Sequence, residues 1–106
     1  MKVYVAGPIT GWPDKNRPAF EKAEVELGSL GHEVYTPFMH EGGGDLPYEE
    51  YLKLGLILML SCDGVAMLPE WHTSTGATIE HDLAEKVRMH VLDLSEWLDP
   101  MIGPRA

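Results

Sequence analysis

The sequence predicts a single α/β domain with three layers, in which a four- to five-stranded parallel sheet lies between two layers of helices. Three observations favour this class. Short apolar runs alternate with longer segments of helical periodicity. Glycine or proline closes most of the apolar runs, which is typical of buried strands with sharp exits. The length of 106 residues suits one compact domain.

Four short apolar runs are the predicted strands. They are residues 3–6, 32–36, 63–68 and 90–94. The first predicted helix has Pro18 in its first turn and ends before Gly31. Its apolar residues recur at helical spacing, and they are Phe20, Ala23, Leu27 and Leu30. This alternation of strand and helix predicts a Rossmann-like or flavodoxin-like sheet with helices on both faces.

The second predicted helix, residues 48–61, is apolar on most sides. Because it is too short to span a bilayer, we expect the sheet to bury it on one side, with a second subunit as an option for another. Glycines and prolines make residues 9–17 a predicted loop and residues 38–47 a predicted segment without regular structure. Residues 93–106 are a predicted C-terminal extension of the single domain 1–106, with one short helix near Trp97 followed by a tail.

The charge balance argues against binding to nucleic acid. Eight basic and seventeen acidic residues give a net charge of −9, whereas duplex binding needs a basic surface that replaces counterions. The single cysteine, Cys62, fits a reducing, cytoplasmic compartment. The sequence contains no signal peptide, no histidine pair at metal-ligand spacing and no glycine-rich dinucleotide or P-loop motif. We therefore expect no metal, no cofactor and no membrane partner.

The stretch 74–84 contains the strongest candidate for chemistry, which is Glu80. At about 3.6 residues per turn, Glu80 lies on the inner face of a predicted helix. The other four residues of that face are Ala77, Leu83, Ala84 and Val87. A carboxylate that leaves water must be paired, hydrogen-bonded or protonated, and a place near a helix N-terminus suits a reactive acid. The alternative is that Glu80 lies at the edge of the stripe, partly solvated.

Other candidates follow from where parallel sheets bind ligands, which is beyond the carboxyl ends of their strands. The hydroxyl of Tyr4 either reaches Glu80 from the first strand or is an ordinary core group. Ser74 and Thr75 either cap the helix or, with the free amides of Gly76 and Ala77, hold a phosphate. Trp71 and His72 either line a pocket, where they would stack on a base, or are exposed loop residues.

Several short motifs occur in an order that is shared with a known superfamily. They are Tyr4-Val5-Ala6-Gly7-Pro8-Ile9-Thr10-Gly11, Asn16 with Phe20, Gly31-His32-Glu33-Val34, Cys62-Asp63, Leu68-Pro69, and Ser74-Thr75-Gly76-Ala77 with Glu80. This set, over roughly residues 1–92, resembles the nucleoside 2-deoxyribosyltransferase-like superfamily, and within it a short bacterial and phage family of unknown function. It is also similar to nucleotide 5′-monophosphate N-glycosidases.

The resemblance implies that Glu80 is the nucleophile that attacks the anomeric carbon of a deoxyribose and that Tyr4 orients it. A second base or water would then resolve the glycosyl-enzyme, as in a two-step retaining displacement. Expected substrate-binding residues are Gly7, Pro8, Ile9, Thr10 and Trp71 around the base and sugar, and Ser74, Thr75 and Gly76 around a 5′-phosphate. Relatives form dimers or larger assemblies, which implies a homo-oligomer.

Two departures from the superfamily pattern affect the expected chemistry. Ser74 stands where the transferases have an aspartate; a serine there is similar to the nucleotide hydrolases and favours hydrolysis over base transfer. Gly55 stands where the relatives have a second aspartate, so a proton donor for the leaving base is missing. The candidates to replace it are Asp45, His40 and His72. The alternatives are a nucleotide-binding regulatory or phage accessory protein that does not catalyse, and a small interaction module.

Overall fold

The computed structural model describes residues 1–40 and 47–104 and contains one parallel sheet. Its strands are β1 (Lys2–Ala6), β2 (Glu33–Tyr35), β3 (Gly64–Met67) and β4 (His90–Asp93), in the order β2-β1-β3-β4. The helices are α1 (Arg17–Ser29), α2 (Tyr48–Leu60), α3 (Thr75–Lys86) and α4 (Leu94–Leu98). The predicted α/β class with a parallel sheet is confirmed.

Each face of the sheet has its own hydrophobic core, because side chains alternate along β1. Val3 and Val5 point to the side covered by α1 and α4, whereas Tyr4 and Ala6 point to the side covered by α2 and α3. All four side chains are fully buried. A three-layer arrangement follows, and it places Tyr4 beneath α2 and α3.

The strand order creates a crevice beyond the carboxyl ends of β1 and β3. The chain leaves β1 toward β2 on one side and later returns to β3 on the other, so these two strands flank a topological switch point. Gly7 follows β1 at this point, and a Cβ there would lie 2.7 Å from the Cβ of Leu68. The exits of β1 and β3 therefore approach closely only because residue 7 has no side chain.

Two predictions of buried helix residues were wrong at helix ends. Val87 is the residue after the last turn of α3, with φ −92° and ψ 7°, and it is half exposed. Leu30 holds the same place after α1 and is also half exposed. The periodic pattern continues through both residues, but the backbone has already left the helix, so the side chains no longer follow the buried face.

The predicted loops are irregular with short 3₁₀ turns. Residues 37–40 form one such turn, so the prediction of no regular structure was wrong for residues 38–40; residues 41–46 lie outside the described part of the chain. Pro37 begins this turn, and its ring fixes the φ angle that a turn of this kind needs.

Helix α2 is only partly buried within the chain. Gly55 and Met59 face inward, but Ile57 is 67% exposed and Leu60 is half exposed. The expected burial of α2 on its sheet side is present, whereas its outer face has apolar residues in contact with solvent within the single chain. Among the helices of the described ranges, none is long and apolar enough to cross a membrane.

The predicted short helix near Trp97 is present as α4, and it completes the core on the α1 side. Trp97 is 1% exposed, and its indole Nε1 donates a hydrogen bond of 2.9 Å to the carbonyl oxygen of Val65. Its ring lies against Gly64, where a Cβ would be 2.6 Å from the ring. The C-terminal segment is thus packed onto β3 by its largest side chain.

We expect Trp97→Ala to lower the free energy of unfolding by about 3–5 kcal/mol, because it removes a large buried side chain and leaves the carbonyl of Val65 without this partner. Urea denaturation followed by circular dichroism measures the change. Met101→Ala is the control in the same segment, since Met101 is exposed, and it should change stability by less than about 0.5 kcal/mol. Equal stability of the two variants would contradict this role of Trp97.

Candidate active site

A cavity of about 920 Å³ lies at the switch point, beyond the carboxyl end of β1. Its described lining residues come from the exit of β1, the turn that begins at Pro37, the inner face of α2 and the start of α3. They are Tyr4, residues 7–12, Lys15, Pro37, Phe38, Tyr48, Tyr51, Leu52, Gly55, residues 73–77 and Glu80. This is the crevice in which open parallel sheets bind ligands.

Glu80 is buried at the base of this cavity and bonded to Tyr4. The phenol of Tyr4 donates a hydrogen bond of 2.7 Å to Glu80 Oε2, and Glu80 is 6% exposed. Helix α3 places Glu80 between the small buried residues Ala77 and Ala84, which bring this helix face close to the sheet. The partly solvated alternative for Glu80 is therefore wrong, and the expected contact with Tyr4 is present.

Burial raises the pKa of the Glu80 carboxyl to about 7, although the hydrogen bond from Tyr4 lowers it. Burial also raises the pKa of the Tyr4 phenol well above its usual range, and the nearby Glu80 charge raises it further. Tyr4 therefore stays a hydrogen-bond donor at neutral pH. Glu80 exchanges its proton near neutral pH, which is the range in which acids and bases in active sites work.

The start of α3 forms a second wall of the cavity. Ser74 is the N-cap residue, and its Oγ accepts a hydrogen bond of 3.2 Å from the amide of Ala77. The prediction of a free amide at Ala77 was therefore wrong, because the cap already uses it. The amides of Thr75 and Gly76 lie in the first turn and have no acceptor within the helix. Gly76 also leaves room for the hydroxyl of Tyr48, which a Cβ would approach to 3.3 Å.

The exit of β1 forms the opposite wall, with Gly7, Pro8, Ile9 and Thr10 all lining the cavity. Asn16 fixes this segment, since its Nδ2 donates a hydrogen bond of 3.0 Å to the carbonyl of Pro8. Asn16 is buried, and its backbone is left-handed with φ 60°. This role of Asn16 was not among the predictions from the sequence. The signal was available, because asparagine tolerates this backbone and often bonds nearby main chain.

The structure does not bring Trp71 to the cavity. Its indole stacks on the imidazole of His81, with ring centroids 4.1 Å apart and planes at 20°, while His72 is exposed beside it. Trp71 begins the 3₁₀ turn Trp71–Thr73, and its partly buried side chain packs against the core that contains Ala77 and Ala84. The cavity is lined instead by other aromatic residues, which were not among the predicted substrate-binding residues. They are Trp12, Phe38, Tyr48 and Tyr51.

Within the described ranges, one group of side chains has the geometry of possible metal ligands. The ligand atoms of His81, Asp82 and Glu85 lie within 4.8 Å of one another on the outer face of α3. The Nδ1 atom of His81 is 3.1 Å from Asp82 Oδ1 and 3.6 Å from Glu85 Oε1. Because these contacts already explain the cluster and both carboxylates are exposed, it does not indicate a metal centre.

The model of a family described as a domain of unknown function, DUF4406, matches residues 1–93. This chain belongs to the DUF4406 family. No protein of curated function matches it. A solved structure of a 2-deoxyribosyltransferase from the psychrotolerant bacterium Bacillus psychrosaccharolyticus has a similar fold, with a TM-score of 0.70 at 22% identity. The alignment covers 86% of this chain and 69% of that chain, which confirms the predicted 2-deoxyribosyltransferase-like fold.

In this DUF4406 protein, the cavity wall has no side chain at Gly55. A Cβ at this position would lie 3.0 Å from the hydroxyl of Tyr4 and 3.3 Å from Glu80 Oε2. Among the lining residues that the structure describes, Glu80 is the only carboxylate. Of the candidates for a replacement proton donor, Asp45 and the side chain of His40 lie outside the described residues, and the exposed His72 does not line the cavity.

The raised pKa of Glu80 predicts a specific dependence of stability on pH. The unfolded chain ionises near the usual value of 4.5 and the folded chain near 7, so the folded state keeps a proton that the unfolded state has lost. The stabilisation of the folded state by this bound proton is complete below pH 4.5 and is lost as the pH rises through 7. We expect stability relative to Glu80→Gln to fall by about 2–3 kcal/mol between pH 5 and 8. Urea denaturation at each pH measures the free energy of unfolding of both proteins. If the two free energies changed equally with pH, the burial of an acid with a raised pKa at position 80 would be contradicted.

Proposed function

We propose that this protein cleaves the N-glycosidic bond of a (deoxy)nucleoside or, preferentially, of its 5′-monophosphate. The observation that carries the proposal is the buried carboxyl of Glu80, bonded to Tyr4 at the base of a cavity of about 920 Å³. A lone buried acid with a pKa near neutral, in a cleft at a sheet switch point, is the signature of a reactive group. The fold shared with a 2-deoxyribosyltransferase supports this reaction class.

Glu80 acts as the nucleophile in two displacements. Because Tyr4 donates its hydrogen bond to Oε2, the other oxygen, Oε1, attacks the anomeric carbon. The bond from that carbon to the base nitrogen then breaks. Its electron pair leaves with the base, which takes up a proton. Water then attacks the same carbon and releases the carboxylate from the sugar. Only ionised Glu80 attacks, so the rate of the first step rises with pH up to about 7.

Three parts of the cavity wall have separate roles in this proposal. The segment 7–10 bounds the sugar and base, and Trp12 with Phe38 offers aromatic faces for the base in place of Trp71. Residues 74–76 hold the 5′-phosphate at the N-terminus of α3, with Lys15 as a cation that also lines the cavity. A phosphate site and Ser74 favour hydrolysis over base transfer, as the resemblance to the nucleotide hydrolases implies.

A second candidate function is nucleotide binding without turnover. The observation in its favour is that residue 55 is a glycine and supplies no carboxyl group. Glu80 is thus the only carboxylate among the described lining residues. A leaving base would then take its proton from Lys15, a tyrosine hydroxyl or water, which slows its departure. Stabilisation by a nucleotide in a thermal-shift assay, without base release on long incubation, would favour this regulatory or accessory role.

We expect Glu80→Gln to reduce base release by about a thousandfold or more, because the amide is not a nucleophile. Tyr4→Phe should reduce it by about ten- to a hundredfold, through loss of a hydrogen bond to a charged group. Chromatography of free base from matched nucleosides and 5′-monophosphates measures both effects and the preference for phosphate.

Glu85→Gln is the matched control, since Glu85 is an exposed carboxylate on the same helix. It should leave base release unchanged. Equal release by the wild-type protein and Glu80→Gln would refute the assignment of the nucleophile. Faster release from nucleosides than from their monophosphates would refute the phosphate site.

We also propose a homo-oligomer in which the outer face of α2 is buried. Its support is the exposure of Ile57 and Leu60, two apolar side chains one turn apart on this face. A cytoplasmic location remains a prediction from the single cysteine.

The oligomer proposal predicts a mass in solution of at least twice the chain mass of 11.8 kDa. Ile57→Glu should lower that mass, because it places a charge in an apolar contact. Val25→Glu is the control, since Val25 is equally exposed but lies on α1. Light scattering after size-exclusion chromatography gives the masses; a monomeric wild-type protein would contradict the proposal.

A further inference from the structure

The cavity has an unfilled space directly beside the reactive carboxylate. Gly55 is buried on the inner face of α2, and the space is the volume that its missing side chain would occupy. Apart from the helix that carries it, the only atoms of the described residues within 4 Å of a Cβ at this position are the hydroxyl of Tyr4 and Glu80 Oε2. The space is therefore bordered by two hydrogen-bonding oxygens and otherwise continues into the cavity.

The stereochemistry of the proposed displacement decides which substrate group lies near this space. In a β-nucleoside the base is on the upper face of the sugar, so a carboxylate that displaces it attacks from the lower face. The 2′-hydroxyl of a ribose is also on the lower face, on the carbon next to the one attacked. A ribose substrate must therefore accommodate its 2′-hydroxyl beside the attacking carboxylate, whereas a 2′-deoxyribose has only hydrogen there.

Glu80 Oε2 is suited to accept a hydrogen bond from such a hydroxyl. It already accepts one from Tyr4, and a carboxylate oxygen has capacity for a second. A 2′-hydroxyl bonded to Oε2 would lie about 2.7 Å from it, and a Cβ at residue 55 would lie 3.3 Å from the same atom. A hydroxyl that approaches Oε2 from the side of α2 would occupy the volume that a side chain at residue 55 would fill.

We propose that Gly55 provides the site for the 2′-hydroxyl, so that this protein acts on ribonucleosides or ribonucleotides as well as on their 2′-deoxy forms. This inference rests on the proposed function, since it assumes that Glu80 attacks the anomeric carbon. Gly55 is then a specificity-determining residue: the absence of its side chain admits a ribose beside Glu80, and the hydrogen bond from the 2′-hydroxyl to Oε2 strengthens as the sugar gains positive charge in the transition state.

The first test compares the wild-type protein on a ribonucleoside 5′-monophosphate and its 2′-deoxy counterpart with the same base. We expect base release from both substrates, more slowly from the ribonucleotide because its 2′-hydroxyl withdraws electrons from the anomeric carbon in the oxocarbenium-like transition state. Release from the deoxyribonucleotide with none from the ribonucleotide would overturn the proposal while leaving the N-glycosidase function intact. Release from neither substrate would refute the proposed function itself.

The second test is Gly55→Ala, which fills the space with one methyl group. We expect this variant to lower kcat/KM for the ribonucleotide at least about tenfold more than for the deoxyribonucleotide. The ratio of the two substrates separates steric exclusion from general damage to Glu80 or to the fold, because damage lowers both values together. An unchanged ratio would overturn the assignment of Gly55.

Gly28→Ala is the matched control for the same substitution. Gly28 is also in a helix, and a Cβ there meets no heavy atom within 4 Å, so this variant should keep the wild-type ratio. A melting temperature for each variant checks that the chain is folded. If Gly28→Ala changed the substrate ratio as much as Gly55→Ala does, the effect would not come from the space beside Glu80.

Discussion

The removal of one carboxyl group from water is the constraint on which the proposed chemistry of this protein depends. Glu80 is held in the core beside the fully buried phenol of Tyr4, and a single hydrogen bond of 2.7 Å joins them. That bond only partly offsets the loss of hydration, so the acid keeps its proton up to about pH 7. The same burial that weakens the folded state at high pH gives Glu80 a pKa near neutrality. Such a trade-off between stability and activity is common in active sites.

The cavity is shaped by positions without side chains as much as by those that have them. Gly7 allows the exits of β1 and β3 to approach each other, Gly76 admits the hydroxyl of Tyr48 at the start of α3, and Gly55 leaves the space beside Glu80 open. Each of these glycines is set against a different neighbour from a distant part of the chain. A methyl group at any of them would contact a residue from a distant part of the chain, so the cavity volume is a property of the packed fold.

The C-terminal segment shows that the folded unit is larger than the part that matches the DUF4406 model. The family match ends at residue 93, yet Trp97 fills the core between α1 and the sheet and bonds to β3. Its ring lies against Gly64, on the opposite face of the sheet from Glu80. The segment therefore supports β3 from the face of the sheet opposite the cavity.

The sequence by itself determined the α/β class and the four strands, because these follow from periodicities of about 2 and 3.6 residues and from glycine and proline signals. It placed Glu80 on the apolar stripe of a helix but left open whether the carboxyl is buried or partly solvated. The resemblance to known transferases selected Tyr4 as the partner of Glu80. Only the tertiary structure decided that Trp71 stacks on His81 instead of lining the cavity, that Asn16 secures Pro8, and that Val87 lies beyond the helix. It also decided that Gly55 faces Glu80. Such contacts join residues far apart in the chain, and local patterns contain no information about which distant surfaces will meet.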